Sequence, residues 1–219
     1  MEKPIGYGEE YHRRKHRFLL ENDEFYNACA ALAMQRDWKG ISTEGRKVLD
    51  FGCGTGYKIS LIEGAVGFDE SPFAREFCAK KGLRVTGDLS SLRDGSFDCV
   101  LISHVLEHVP VPTETLDRIR ALLKPGGRII VVLPVDFFHK ASLSMDENQH
   151  LYAWNLQAIN NLLTSRGFRV VSNEVMPIPC HLKRTLLWLA ARNIGAYDFV
   201  TSLAGRLRGT YEMRIVAQK

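Results

Sequence analysis

Apolar positions along this 219-residue chain follow two rhythms. Short apolar runs recur at Val48–Leu49, Ala65–Phe68, Leu83–Val85, Cys99–Ile102 and Ile129–Leu133, bounded by glycine, proline, serine or acids. Runs of that length read as strands, and the longer ones as strands covered on both faces. Between them the spacing changes to that of helices. Ser71 as N-cap with Pro72 at the first helical position opens one of these. Leu156, Ile159, Leu162 and Leu163 line one face of a helix over Asn155–Ser165, with Gly167 as its C-cap. Two helical stretches, Glu9–Glu21 and Asp23–Arg36, precede the first strand. Phe168–Ser172 starts a sixth strand, and Tyr211–Ala217 alternates cleanly as a last one. Strands alternating with helices over residues 46–134 predict an α/β fold, with a parallel sheet covered on both faces.

The first strand ends in Asp50 and opens directly into Gly52-Cys53-Gly54-Thr55-Gly56. Alternating glycines let a backbone turn sharply and approach a ligand without an intervening Cβ. A helix is expected next, aiming its free N–H groups at that ligand. A dinucleotide turn places its third glycine one residue later, where this chain has Tyr57. That departure disfavours a nucleotide-dependent dehydrogenase. Asp50 would repel a pyrophosphate but suits an ammonium-bearing ligand. Cys53 reads as a small residue that fits the turn rather than as a nucleophile.

The string Val48-Leu49-Asp50-Phe51-Gly52-Cys53-Gly54-Thr55-Gly56 resembles the first motif of the class I S-adenosylmethionine-dependent methyltransferases. Other landmarks follow in that family's order. Asp69, 17 residues after Gly52 at the end of the second strand, has the spacing of a carboxylate that holds ribose hydroxyls. Capping the next helix is the lesser alternative, and Glu70 adjoins it in the expected cofactor pocket. The resemblance implies that Asp88 accepts from the adenine amino group and that Leu89 packs on the ring. An acid after Gly87 is also an ordinary turn residue. Ser103 ends the fourth strand, and Leu106-Glu107-His108 is similar to a segment of small-molecule members of the family. The resemblance further implies a Rossmann-like, doubly wound seven-stranded sheet, with an antiparallel last strand between the fifth and sixth. S-adenosylmethionine is then the expected cofactor and S-adenosylhomocysteine its product.

At 45% apolar composition the chain can bury one sizeable core, and a single domain over 1–219 is the simplest expectation. Helices at 1–42 would precede a cofactor-binding core at 46–134. The loop 135–153 and an insertion at 177–209 would roof the substrate side. That insertion contains helical patterns at Leu182–Arg192 and Tyr197–Arg208, split by Gly195. The apolar stripe of the first reads as a lid or homodimer contact ahead of a peripheral membrane contact. Seven basic residues against two acids lie between His181 and Lys219, and Arg13-Arg14-Lys15-x-Arg17 forms a second basic cluster. Neither carries the signature of a nucleic-acid module, so no nucleic acid is expected as partner. Five scattered cysteines without C-x-x-C, a polar start and no long apolar run set the expectation of a cytoplasmic protein.

Methyl transfer requires nucleophile and methyl to be held in line and water excluded. A hydroxyl acceptor also needs a base, and histidine suits that task near neutral pH. His104 and His108 follow the fourth strand, and His139 and His150 follow the fifth. His108 and His139 are the first choices, while capping or loop-holding is the competing role for Glu107 and His108. No metal is expected, because adjacent residues do not share a helix face and an upstream acid is replaced by His104. The expected reaction is O-methylation of a small organic, glycan or lipid-linked acceptor. A non-catalytic S-adenosylmethionine-binding partner protein is the alternative.

Overall fold

A computed structural model describes residues 7–135, 148–180 and 186–219. Seven strands form one sheet: β1 (Val48–Phe51), β2 (Val66–Phe68), β3 (Arg84–Thr86), β4 (Phe97–Ser103), β5 (Leu123–Pro134), β6 (Arg169–Pro177) and β7 (Tyr211–Gln218). Their order is β3-β2-β1-β4-β5-β7-β6. The pairings from β3 through β5 are parallel, and β7 runs antiparallel to both β5 and β6. The implied doubly wound topology is the observed one.

Period-two alternation sorts the central strands between two cores. Leu49, Phe51, Val100, Ile102, Val131, Met213 and Ile215 pack with Leu116 and Ile119 of α5 (Pro112–Leu122) and with Ile159 and Leu163 of α6 (Leu156–Ser165). Val48, Leu101, Ile130, Val132 and Val216 face Trp38, Ile59 and Ile62 on the opposite side. Helix α4 (Pro72–Lys80) follows β2, with the Ser71 hydroxyl capping Ala74 N–H as expected.

Four expectations need correction. The helix after the glycine turn does not form. Residues 52–64 make successive tight turns such as Ile59 N–H to Gly56 O and Ile62 N–H to Ile59 O. Only seven residues separate Gly56 from Gly64, too few for a helix that must also return the chain to β2. The first N-terminal helix breaks at His16 into α1 (Glu9–Lys15) and α2 (Arg17–Glu21), ahead of α3 (Asp23–Arg36). Gly195 does not split the insertion; it lies in the first turn of α8 (Ile194–Arg208), which Asn193 caps after α7 (Leu187–Arg192). Pro125-Gly126 is drawn into an irregular start of β5, where the register against β4 shifts.

The five cysteines are free thiols, four of them buried. No helix among the described residues is long and apolar enough to cross a membrane.

Candidate functional site

The glycine turn sits at the carboxyl end of β1 with Gly52, Gly54 and Gly56 all at positive φ, +80°, +52° and +73°. Gly52 N–H and Cys53 N–H both donate to Phe68 O, which ties the turn to β2. A Cβ on Gly52 would lie 2.3 Å from Val105 Cγ2, and one on Gly56 would strike Leu83 and Cys78. Cys53 Sγ fills the gap above Gly67, as the small-residue role requires. Beside Cys78, its thiol titrates well above the ordinary range, through that contact and through burial.

Asp69 stands half-buried beside this turn. One carboxylate oxygen accepts from Gly54 N–H at 2.7 Å and the other from Ser71 N–H at 2.9 Å. It therefore braces the turn and the start of α4 together, and each oxygen keeps lone-pair capacity for a ligand. Asp50 is 1% exposed, and among the described residues its Oδ2 has no hydrogen-bond partner. Burial pushes its pKa up to about 7, against the pull of nearby Lys58. An orphaned buried acceptor is costly unless something cationic or hydrogen-bonding meets it, which fits an α-ammonium group. Lys58 itself is paired with Asp37 at 2.6 Å. Ser103, buried at the end of β4, likewise has a hydroxyl without a partner among the described residues.

Asp88 and Glu70 are exposed. Asp88 Oδ1 caps the 3-10 turn Leu89–Ser91 by accepting from Ser90 N–H and Ser90 Oγ, at 2.8 and 2.7 Å. Those bonds hold its carboxyl below the usual range. Leu89 packs on the main core.

Past β4 the chain folds back sharply. His104 takes φ +54°, unusual for a residue with a side chain, with its N–H on Val132 O. Its ring lies between two buried carboxylates, Nδ1 3.4 Å from Glu107 and Nε2 3.3 Å from Glu212. Desolvation lowers its pKa, but the two acids outweigh that and lift it to about 9. Glu212 opposes its own burial through His104, Lys58 and Arg36 and falls to about 2. Arg36 on α3 joins Glu212 at 3.3 Å and Asp198 at 2.9 Å.

His108 differs. Its Nδ1 lies 2.9 Å from Tyr7 Oη, and burial lowers its pKa despite Glu107 at 3.9 Å. His150 packs edge-on against it at 5.0 Å. One ligating atom each from Glu107, His108 and His150 falls within 4.8 Å of the others, spacing suited to a proton relay or to a cation. The Glu107 backbone carbonyl accepts from Leu151 and Tyr152 N–H, which brings the His150 segment in. His139 lies outside the described residues.

Helix α1 and the residue before it pack against both the glycine turn and the histidine cluster. Tyr7, just before it, reaches His108, and Tyr11 lies close enough to Glu107 for the acid to raise its phenol pKa, after burial. His12 is 4% exposed, stacks on Phe73 at 5.7 Å, and its Cε1 is 3.9 Å from a Cβ built on Gly54. Sequence reasoning missed Tyr7, Tyr11, His12, Arg36 and Glu212. The spacing of Tyr7, Tyr11 and His12, and a charge on the doubly covered last strand, were the available signals.

The methyltransferase-domain family matches residues 11–173 of the chain. The ubiquinone biosynthesis O-methyltransferase of Dechloromonas aromatica is 31% identical over 135 residues, 53% of this chain and 57% of that protein. Its counterpart in Methylococcus capsulatus is 32% identical over 141 residues, 57% of this chain and 60% of that one. The chain thus spans little more than half the length of these curated relatives. Among solved structures, a SAM-dependent methyltransferase from Archaeoglobus fulgidus has a TM-score of 0.62 at 21% identity, covering 94% of this chain and 100% of that one. Haemonchus contortus phosphoethanolamine N-methyltransferase 2, in complex with S-adenosyl-L-methionine, has a TM-score of 0.55 at 20% identity, over 93% of this chain and 59% of that one. At those identities the likeness is one of fold.

Proposed function

We propose that this chain, which belongs to the methyltransferase-domain family, is an S-adenosylmethionine-dependent methyltransferase that methylates an oxygen of a small organic, glycan or lipid-linked acceptor, with His108 as the base. The two curated relatives described above are ubiquinone biosynthesis O-methyltransferases, which favours oxygen. The observation that carries the assignment of the base is the contrast between two histidines four residues apart. His104, held between Glu107 and Glu212, is an imidazolium at neutral pH and cannot take a proton. His108 is kept neutral by burial, with Glu107 at hand to stabilise the charge that it would acquire.

S-adenosylmethionine supplies, when bound, a methyl group on a positively charged sulfur. Asp50, with its orphaned oxygen, would hold the ammonium end, and Ser103 offers a hydroxyl at the end of β4. Asp69 would take the ribose while bracing the glycine turn, and Asp88 with Leu89 would meet the adenine. Helix α1 would exclude water above them. His104 acts as a positioning residue, since its contact with Glu107 fixes the acid beside the base.

His108→Gln should leave S-adenosylhomocysteine affinity within about twofold and lower kcat on an accepted substrate by roughly 10²–10⁴, the range for a lost general base. Unchanged kcat would remove His108 from the reaction. Dependence of turnover on a divalent cation would reassign the Glu107–His108–His150 cluster to ion binding. Tight cofactor binding without turnover on any acceptor panel would favour the non-catalytic partner.

A further inference from the structure

Helix α8 is fixed firmly on one side and bare on the other. Tyr197, Thr201 and Gly205 form its buried face. Gly205 allows so close an approach that a Cβ there would lie 1.9 Å from Ile178 O. Cys180 N–H donates to Thr201 O, and Thr210 N–H to Gly205 O. Asn193 caps the start, and Gly209 ends the helix in a left-handed conformation. The opposite face carries Phe199, Leu203 and Leu207 at i, i+4 and i+8, exposed by 71%, 47% and 82%. On neighbouring α7, Trp188 is 54% exposed with the Arg192 guanidinium stacked on its ring at 5.5 Å. The apolar stripe expected from sequence on 182–192 is not this face: Leu186, Leu189 and Ala190 pack, with Leu187, against Ala28 and Leu32 of α3, and Leu182 lies outside the described residues.

Charge decides what covers the stripe. Arg192 and Arg206 are exposed beside it, and Arg208 is exposed at the end of the same helix. Asp198, the only acid of α8, turns away to pair with Arg36. A second copy meeting this face would set one basic patch against another, with no unpaired acid on α7 or α8 to offset it. An anionic bilayer presents the opposite charge and an apolar interior within reach of Trp, Phe and Leu side chains. We propose that the α7–α8 face docks the protein on an anionic membrane surface, the helix lying in the plane of the interface. This inference does not depend on the acceptor or on the base proposed above.

The test uses the full chain with vesicles of phosphatidylcholine alone and of phosphatidylcholine containing phosphatidylglycerol. Co-sedimentation should occur only with the anionic vesicles and should weaken as salt rises. Trp188 fluorescence should shift to the blue on binding, and Trp188→Phe should remove that shift. The triple variant Phe199→Gln, Leu203→Gln, Leu207→Gln keeps good helix formers on the surface. It should lose at least tenfold in vesicle affinity while retaining the wild-type melting temperature and S-adenosylhomocysteine binding. No binding to anionic vesicles, or equal binding to both kinds, would overturn the proposal. So would a concentration-dependent dimer that the triple variant abolishes, since a second copy would then be the occupant.

Discussion

Gly52 and Gly54 share a left-handed backbone yet differ in what a side chain would meet. At Gly52 a methyl group collides with Val105 at 2.3 Å, whereas at Gly54 the nearest atom is His12 Cε1 at 3.9 Å. Gly52→Ala therefore combines backbone strain with an overlap at the end of β1, and should destabilise the protein by roughly 2–4 kcal/mol. Gly54→Ala carries only the backbone term, about 1 kcal/mol. Its methyl group points toward His12 and the cleft, so its larger effect should be on the cofactor. Thermal melting and calorimetric titration with S-adenosylhomocysteine separate the two. Equal melting temperatures for both variants would contradict this account. At this scale the sequence was informative where chemistry is local. Asp50 and the glycines form one contiguous pattern, Asp69 follows at the end of the next strand, and the structure places Asp69 against the turn. Glu212 was not legible, because its meaning depends on β7 lying over His104, 108 residues away.

The strands were the readable elements, since each apolar run is short and its ends are marked by glycine, proline or acids. The expected helix after Gly56 was the main failure. Motif resemblance carries the habit of a family, but the count of residues to Gly64 is particular to this chain and leaves room only for turns that plug the core with Ile59 and Ile62. Likewise, Gly195 reads as a breaker, although a glycine in the first turn of a helix costs little once Asn193 supplies the cap. Helix α8 depends on a different glycine. Gly205→Ala should push the helix off Ile178 and lower the melting temperature by several degrees, about 2–4 °C per kcal/mol lost for a chain of this size. A wild-type melting temperature would show that the helix can slide without loss.

Across the molecule, Arg36, Glu212, His104 and Glu107 make one line of alternating charge from α3 through β7 to the turn after β4. Its sign with pH can be worked out. His104 is raised from 6.5 to about 9, so its contribution is complete below pH 6.5 and is lost as pH rises through 9. Glu212 is lowered from 4.5 to about 2, so its contribution holds above pH 4.5 and is lost as pH falls through 2. The pair stabilises most between those limits, pH 4.5 to 6.5. His104→Asn tolerates the left-handed backbone and does not titrate. The melting-temperature gap between wild type and variant should be widest in that window and close toward pH 9. A gap independent of pH would mean that the ring contributes by packing alone.

The placement of β7 has a consequence for how the chain is made. Strand β7 lies between β5 and β6 but is synthesised after both. A nascent chain that has emerged only to Gly209 has the glycine turn, Asp69 and the histidines after β4, yet its β5 edge has no neighbour on that side. Ile129–Leu133, wholly buried in the finished sheet, would then offer an open apolar ladder to any other strand. Glu212 would also be missing, leaving His104 without one of its two carboxylates. During translation the sheet therefore stays unsealed until β7 arrives, and the interval before that is when a chaperone would have most to shield.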